Sequence, residues 1–146
     1  MRSIVLYAYP PENDGTSLQG HMLYKGILKT GNEALPCHFR DSIQKKFFLQ
    51  NYKPDVVYGV GFWGNVPDIV HYPLKYGVRP VPWFNADGWV ANYQEDFNKL
   101  ELMFTTSEWV RQTYKRDNVD ISKIVPMHIG IDTNEFIPTN NENYTK

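Results

Sequence analysis

Asp55-Val56-Val57-Tyr58-Gly59-Val60-Gly61-Phe62-Trp63-Gly64-Asn65-Val66-Pro67 reads as one strand-to-helix unit. Lys53-Pro54 breaks what precedes it, and Asp55-Val56-Val57-Tyr58 is a short apolar run of the kind that forms a buried strand. Asn65 and Pro67 open a helix, because proline is tolerated in the first helical turn. The alternation continues upstream. Ser3-Ile4-Val5-Leu6-Tyr7-Ala8 is a first strand ended by Pro10-Pro11. Thr16-Ser17-Leu18-Gln19 has capping-box form, and Gly20, Leu23, Tyr24, Ile27 and Leu28 recur at helical spacing, with Gly31 placed to stop the helix. Ala34 to Phe39 is a second strand, and Asp41 or Ser42 caps a second helix that contains Ile43 and Phe47.

Downstream, Pro73 makes the far end of the third helix irregular and Gly77 closes it. Arg79 to Phe84 is a fourth strand, whose two prolines predict a short one near an edge. A helix over 91–100, a strand at Leu102-Met103-Phe104-Thr105, a helix begun by Ser107 and Glu108 with Val110 and Tyr114 on one face, and a last strand at 123–128 complete the series. Thr139 to Lys146 is polar and reads as a linker or tail. The expected fold is therefore α/β: a Rossmann-like three-layer domain over residues 1–138 with a mostly parallel five- to six-stranded sheet.

The chain has 146 residues, 42% apolar and 15% aromatic, with a formal net charge of −1. That length suits one domain, and the charge balance gives no reason to expect a nucleic-acid partner. No basic run precedes an apolar stretch, so no signal peptide is read, and the apolar runs are too short to span a bilayer. Cys37 is the single cysteine; it excludes an internal disulfide, fits a reducing compartment and reads as a small buried strand residue. Asn143-Tyr144-Thr145 has the form of a glycosylation sequon, read as chance in a cytoplasmic protein. The abundance of aromatic rings suits a protein that stacks sugars or aromatic ligands.

In parallel sheets ligands bind beyond the carboxyl ends of the strands. Four loops fall there: 10–15, 59–65, 85–88 and 105–107. The first ends in a glycine at a helix N-terminus, where free N–H groups and the helix dipole attract anions such as phosphate; an ordinary turn is the alternative. The second is a literal G-x-G-x-x-G, Gly59 to Gly64, the dinucleotide fingerprint, with Asp87 beyond the next strand. It follows the third strand rather than the first. The other reading is that its glycines let backbone approach a ligand while Phe62 and Trp63 offer faces to a sugar. In the third, Trp83-Phe84-Asn85-Ala86-Asp87-Gly88-Trp89, a carboxylate between tryptophans can bind a sugar hydroxyl or take a proton, or Asp87-Gly88 is simply a turn. His21, His38, His71 and His128 show no metal-ligand spacing, and no G-x-S-x-G or P-loop is present.

Taken in order, several segments resemble the large retaining glycosyltransferase family 4. Tyr9-Pro10-Pro11-Glu12-Asn13-Asp14-Gly15 looks like that family's first loop, with Asp14 where a glycine is usual. Gly31-Asn32-Glu33-Ala34, Lys53-Pro54-Asp55-Val56-Val57 and Thr106-Ser107-Glu108-Trp109-Val110 are similar to later segments. The run from Lys123 to Pro138, containing Gly130-Ile131-Asp132, Phe136 and Pro138, resembles the end of the family's first domain. Where many members carry a histidine after the fourth strand, this chain has Asn85 and Asp87.

The resemblance implies the acceptor-binding, N-terminal half of a two-domain GT-B enzyme that transfers a sugar from a nucleotide-sugar with retention and no obligatory metal. Asp87 and Asn85 would be catalytic. Asn13, Asp14, Phe62, Trp63 and Trp83 would contact the acceptor, and Gly15 and Thr16 would face the donor phosphates. No cofactor is expected to be tightly bound, the nucleotide-sugar being a co-substrate. A donor-binding domain or partner subunit would complete the enzyme. The acceptor is expected to be a sugar, a lipid-linked sugar or a protein glycan, met in the cytoplasm or at the inner membrane surface. Two other readings stay open: a stand-alone Rossmann-like module that binds a ligand and recruits a partner, and a nicotinamide-dependent enzyme using Gly59 to Gly64.

Overall fold

The computed structural model describes residues 1–138; the expected tail, residues 139–146, and its sequon lie outside the described residues. Six strands form one all-parallel sheet in the order β2-β1-β3-β4-β5-β6: β1 (Arg2–Tyr7), β2 (Glu33–His38), β3 (Val56–Phe62), β4 (Arg79–Asn85), β5 (Met103–Thr105) and β6 (Ile124–Pro126). The helices between them are α1 (Gly15–Lys29), α2 (Ser42–Phe47), α3 (Tyr72–Lys75), α4 (Gln94–Asn98) and α5 (Glu108–Arg116), with π-helical turns at Phe48–Tyr52 and Pro67–His71.

The strands are apolar on both faces because both faces are covered. Side chains alternate across a strand: Ile4 and Leu6 enter one core with Leu49, Ile69, Phe97 and Tyr114, while Val5 and Tyr7 enter a second with Val60 and Trp83. The layers are unequal. Leu23, Tyr24 and Ile27 of α1 pack on the second face, joined there by Met127, whose carbonyl accepts from Trp83 Nε1 at 3.0 Å. The elements after β2, β3, β4 and β5 supply the other face. Among the described residues no helix is long and apolar enough to cross a membrane.

Local capping signals explain several boundaries. Asp41 accepts from Gln44 N at 2.9 Å and Ser107 Oγ from Val110 N at 3.2 Å, each satisfying a free donor of its helix. Three expectations need correction. Helix α1 is capped by Asp14, not Thr16, so it begins earlier than the capping-box reading had it. The helix expected over 91–100 shrinks to Gln94–Asn98. Strand β4 is not at an edge, since β3 and β5 flank it. Its pairing with β5 begins only at Trp83, however, while its pairing with β3 runs from Arg79 to Asn85. Pro80 and Pro82 therefore turn their missing N–H groups to the side that β5 leaves open.

Candidate functional site

The chain leaves β1 for β2 on one side and returns to build β3 to β6 on the other, so the crossover directions diverge between β1 and β3. Such a divergence opens a crevice at the carboxyl ends of the strands. A cleft of about 230 Å³ lies there, lined by Ala8 after β1, Thr16 of α1, Phe39 and Arg40 after β2, Val60, Gly61, Phe62 and Asn65 around the end of β3, and Asn85 and Asp87 around the end of β4.

Asn85 ends β4, and long-range bonds hold it. Its Oδ1 accepts from Thr106 Oγ1 at 2.7 Å, and its backbone carbonyl accepts from Tyr114 Oη at 3.0 Å. With Oδ1 engaged, its Nδ2 has no partner among the described residues. Burial, helped by the Asp87 charge, pushes the Tyr114 phenol far above its usual range, so it remains a donor to Asn85. Asp87 and Gly88 are both left-handed, at φ 48° and 87°, and Trp89 N donates to Ala86 O at 3.0 Å. That is a turn of type I′, which aspartate and glycine suit. The turn and site readings of Asp87 therefore coexist: the turn sets the backbone, and the exposed carboxylate has no hydrogen-bond or ion-pair partner among the described residues.

Of the residues expected in the first loop, Thr16 lines the cleft and Gly15 is the first residue of α1, with open space where a Cβ would stand. Asp14 is engaged in capping: its Oδ1 accepts from Ser17 N at 2.8 Å and Thr16 Oγ1 at 2.9 Å, and these bonds hold its pKa below the usual carboxylate range. Asn13 is exposed beside it and is not part of the cleft lining. Trp83 is not brought to the cleft. It is buried in the α1-side core and borders a separate groove of about 480 Å³ between α1 and residues 127–131, which has no carboxylate, lysine or arginine side chain in its lining.

The glycine-rich stretch is also not a loop. Gly59 and Gly61 lie inside β3, paired with Pro82 and Phe84. Each glycine answers to a neighbour in the chain: a Cβ on Gly59 would overlap Ile69 Cγ2, one on Gly61 would overlap Asn65 Oδ1, and one on Gly64 would stand 2.7 Å from Phe62 Cε2 and Cζ. In the dinucleotide fingerprint the first glycine makes a tight turn and the second lets backbone approach the pyrophosphate; here Gly59 lies within the strand, and the space beside Gly61 is taken by Asn65 Oδ1. Phe62 is exposed at the cleft, and Trp63 packs partly into the core with its Nε1 buried and unpaired.

Sequence reasoning missed Arg40. It is exposed, stacks its guanidinium 5.0 Å from the Phe39 ring centroid, and has no carboxylate within ion-pair reach among the described residues. No local signal marks it; only the position of β2 beside β1 brings it to the cleft. Asn65 was read as a helix opener, but its buried Oδ1 accepts from Phe62 N at 3.0 Å and shapes the cleft floor. Cys37 is buried, and burial pushes its thiol up to about 12, which leaves it inert. Among the described residues no three His, Cys, Asp or Glu side chains gather as a metal set.

No family model matches the chain, and no curated protein matches it. Among solved structures it is similar to Anabaena HepE (Alr3699). In the complex of HepE with UDP and glucose the TM-score is 0.57 at 12% identity, covering 92% of this chain and 46% of HepE. In the complex with UDP-glucose the TM-score is 0.58 at 8% identity, covering 92% and 45%. The chain thus spans slightly less than half the length of HepE. At these identities the likeness is one of fold: this chain is an all-parallel Rossmann-like domain of the kind that HepE contains.

Proposed function

We propose that this domain is the acceptor-side half of a retaining glycosyltransferase of the family 4 type, working with a donor-binding domain or partner. The observation that carries the proposal is the unpaired Asp87 carboxylate facing the same cleft as the fixed Asn85 amide, at the switch point of the sheet. HepE, which shares the fold, is seen with UDP-glucose, a nucleotide-sugar. An acceptor hydroxyl can donate to Asp87 while Asn85 Nδ2 donates to a neighbouring sugar oxygen, which fixes the angle at which that hydroxyl meets the donor. Phe62 forms a wall of the cleft with an apolar face suited to a ring. Gly15 and Thr16, in the first turn of α1, would face the donor phosphates, beside an Asp14 carboxylate that already takes the Ser17 N–H. Displacing the nucleoside diphosphate also requires electrostatic stabilisation of the leaving phosphates, which the second domain would supply.

The chain by itself should then show essentially no glycosyl transfer, and calorimetry with UDP-glucose should give weak or undetectable binding. Tight binding of UDP-glucose would place the donor site in this domain and overturn the division of labour. Tight binding of NADH would restore the nicotinamide alternative.

A further inference from the structure

A row of aromatic rings continues from the cleft along the carboxyl edge of the sheet. Phe62, at the cleft, meets Trp63 with ring centroids 5.6 Å apart, and Trp63 meets Trp89 at 5.7 Å. Both contacts are near-perpendicular, at 77° and 73°, so Phe62 and Trp89 flank Trp63 in the edge-to-face manner that aromatic pairs favour. Trp63 is anchored against the core, yet Phe62 is 36% and Trp89 58% exposed.

The backbones that carry these rings are pinned. The Phe62 ring lies over Gly64, where any Cβ would displace it, and Phe62 N donates to the buried Asn65. Trp89 closes the turn that holds Asp87. The next residue, Val90, donates its N–H to Asp117 Oδ2 at 2.6 Å, and Arg116 Nη2 donates to Gly88 O at 2.7 Å. Rings exposed singly need no explanation, but Phe62 and Trp89 are exposed on either side of one anchored ring and beside the cleft, a contiguous apolar surface of the kind used in binding.

The polar groups beside the rings select the occupant. Asn85 is paired with Phe62 in the sheet and Asp87 lies in the turn that Trp89 closes, so a donor and an acceptor flank the row. Arg116 is already paired with Asp117 at 3.0 Å, and Arg40, which follows β2 and also lines the cleft, is a single unpaired cation rather than a basic cluster. An anionic membrane surface would want free cations at this edge. An exposed aromatic ring beside a carboxylate or an amide instead matches a pyranose, which has an apolar C–H face and a rim of hydroxyls.

We propose that Phe62, Trp63 and Trp89 form a second saccharide subsite continuous with the cleft, so that the acceptor is at least two sugar rings long. This rests on the acceptor-side reading above and adds Trp89 as a specificity-determining residue. The test is an NMR titration of the 146-residue chain with glucose, galactose and mannose and with the disaccharides built from them. Monosaccharides should shift the Asn85 side-chain amide. At least one disaccharide should also shift the Trp63 and Trp89 indole signals and bind about five- to tenfold more tightly than its monosaccharide, the yield of one ring stack. Trp89→Ala should erase that gain, Trp89→Phe should keep most of it, and Trp109→Ala, at an exposed tryptophan outside the row, should leave it unchanged. Disaccharides that bind no better than monosaccharides, or a gain that survives Trp89→Ala, would overturn the subsite while the cleft reading stands. If no saccharide shifts Asn85, both are overturned.

Discussion

Replacing Gly59 by alanine sets a Cβ against Ile69 in the middle of the sheet. The overlap with Ile69 Cγ2 is direct, and Ile69 Cβ and Cγ1 would each stand 3.1 Å from the new atom. Ile69 is fully buried on the π-helical turn Pro67–His71, so it cannot swing into solvent. Gly59 in turn is held in register with Leu6 on one side and Pro82 on the other. Neither partner can yield without moving a layer, and forced overpacking of this kind costs about 1–3 kcal/mol. For a domain of this size that is a fall of roughly 2–12 °C in Tm, read by circular dichroism. Truncating the partner separates overlap from other causes. Ile69→Ala alone should cost about 2–5 kcal/mol as a cavity. The double variant should cost less than the sum of the two singles, because the methyl moves into space that the isoleucine has vacated. An unchanged Tm for Gly59→Ala, with strict additivity in the cycle, would refute the view that this glycine exists for packing and would reopen the question of a ligand pressed against it.

In a two-domain protein that contains this half, Asp87→Asn should lower turnover about 100-fold or more, in the range of a positioned acid–base or hydrogen-bonding group. Its melting temperature should barely change, since asparagine also tolerates the left-handed turn; Asn85→Ala is the companion variant, and normal turnover in both would reduce this edge to a turn. Lys45 is 2% exposed, with Nζ 3.1 Å from Asp68 O and 3.5 Å from Asp68 Oδ1, and burial holds its pKa below lysine's ordinary value. Its folded pKa being the lower one, the unfolded chain binds the proton more tightly, so this residue's contribution to stability rises as pH climbs from the folded value towards about 10.5. Urea unfolding of Lys45→Met should therefore show a flatter pH profile over that window, with stability equal to or above wild type near neutrality; parallel profiles would count against it. Ser107→Ala removes the cap of α5 and should cost about 1 kcal/mol in the same assay.

What could be read from the sequence, and what could not, divides by the range of the forces involved. Asp41 and Ser107 were legible as caps because a side chain accepting from an N–H three residues ahead is a local event. Gly31 and Gly77 were legible as stops because their left-handed φ values, 85° and 72°, are also local demands. The alternation of strand and helix, and hence the parallel sheet, followed from such signals. Gly59 and Gly61 were misread for the opposite reason. As local residues they look like a loop, but Ile69 and Asn65, from the next elements, decide that they are strand. Pro80 and Pro82 argued for an edge, and only the late start of β5 shows how a central strand can hold them.

The same division runs through the site and decides which of its residues can act. Asp14 and Asp87 are both loop carboxylates near helix or strand ends, and in the sequence only the family resemblance, not their local surroundings, sets Asp87 above Asp14. In the fold, Asp14 spends its Oδ1 on Ser17 and Thr16 within its own turn, so its role is exhausted locally. Asp87 is left unpaired because its turn is closed by backbone alone, through Trp89 N and Ala86 O. Asn85 becomes a directed donor only because Thr106, 21 residues away, occupies its oxygen. Trp83, two residues earlier on the same strand, lies below the carboxyl edge, and Met127 O takes its indole N–H. On the proposed reading, chemistry at this edge falls to the side chains whose polar atoms the fold leaves unspent, and at the end of β4 and in the turn after it those are the Asn85 amide and the Asp87 carboxylate.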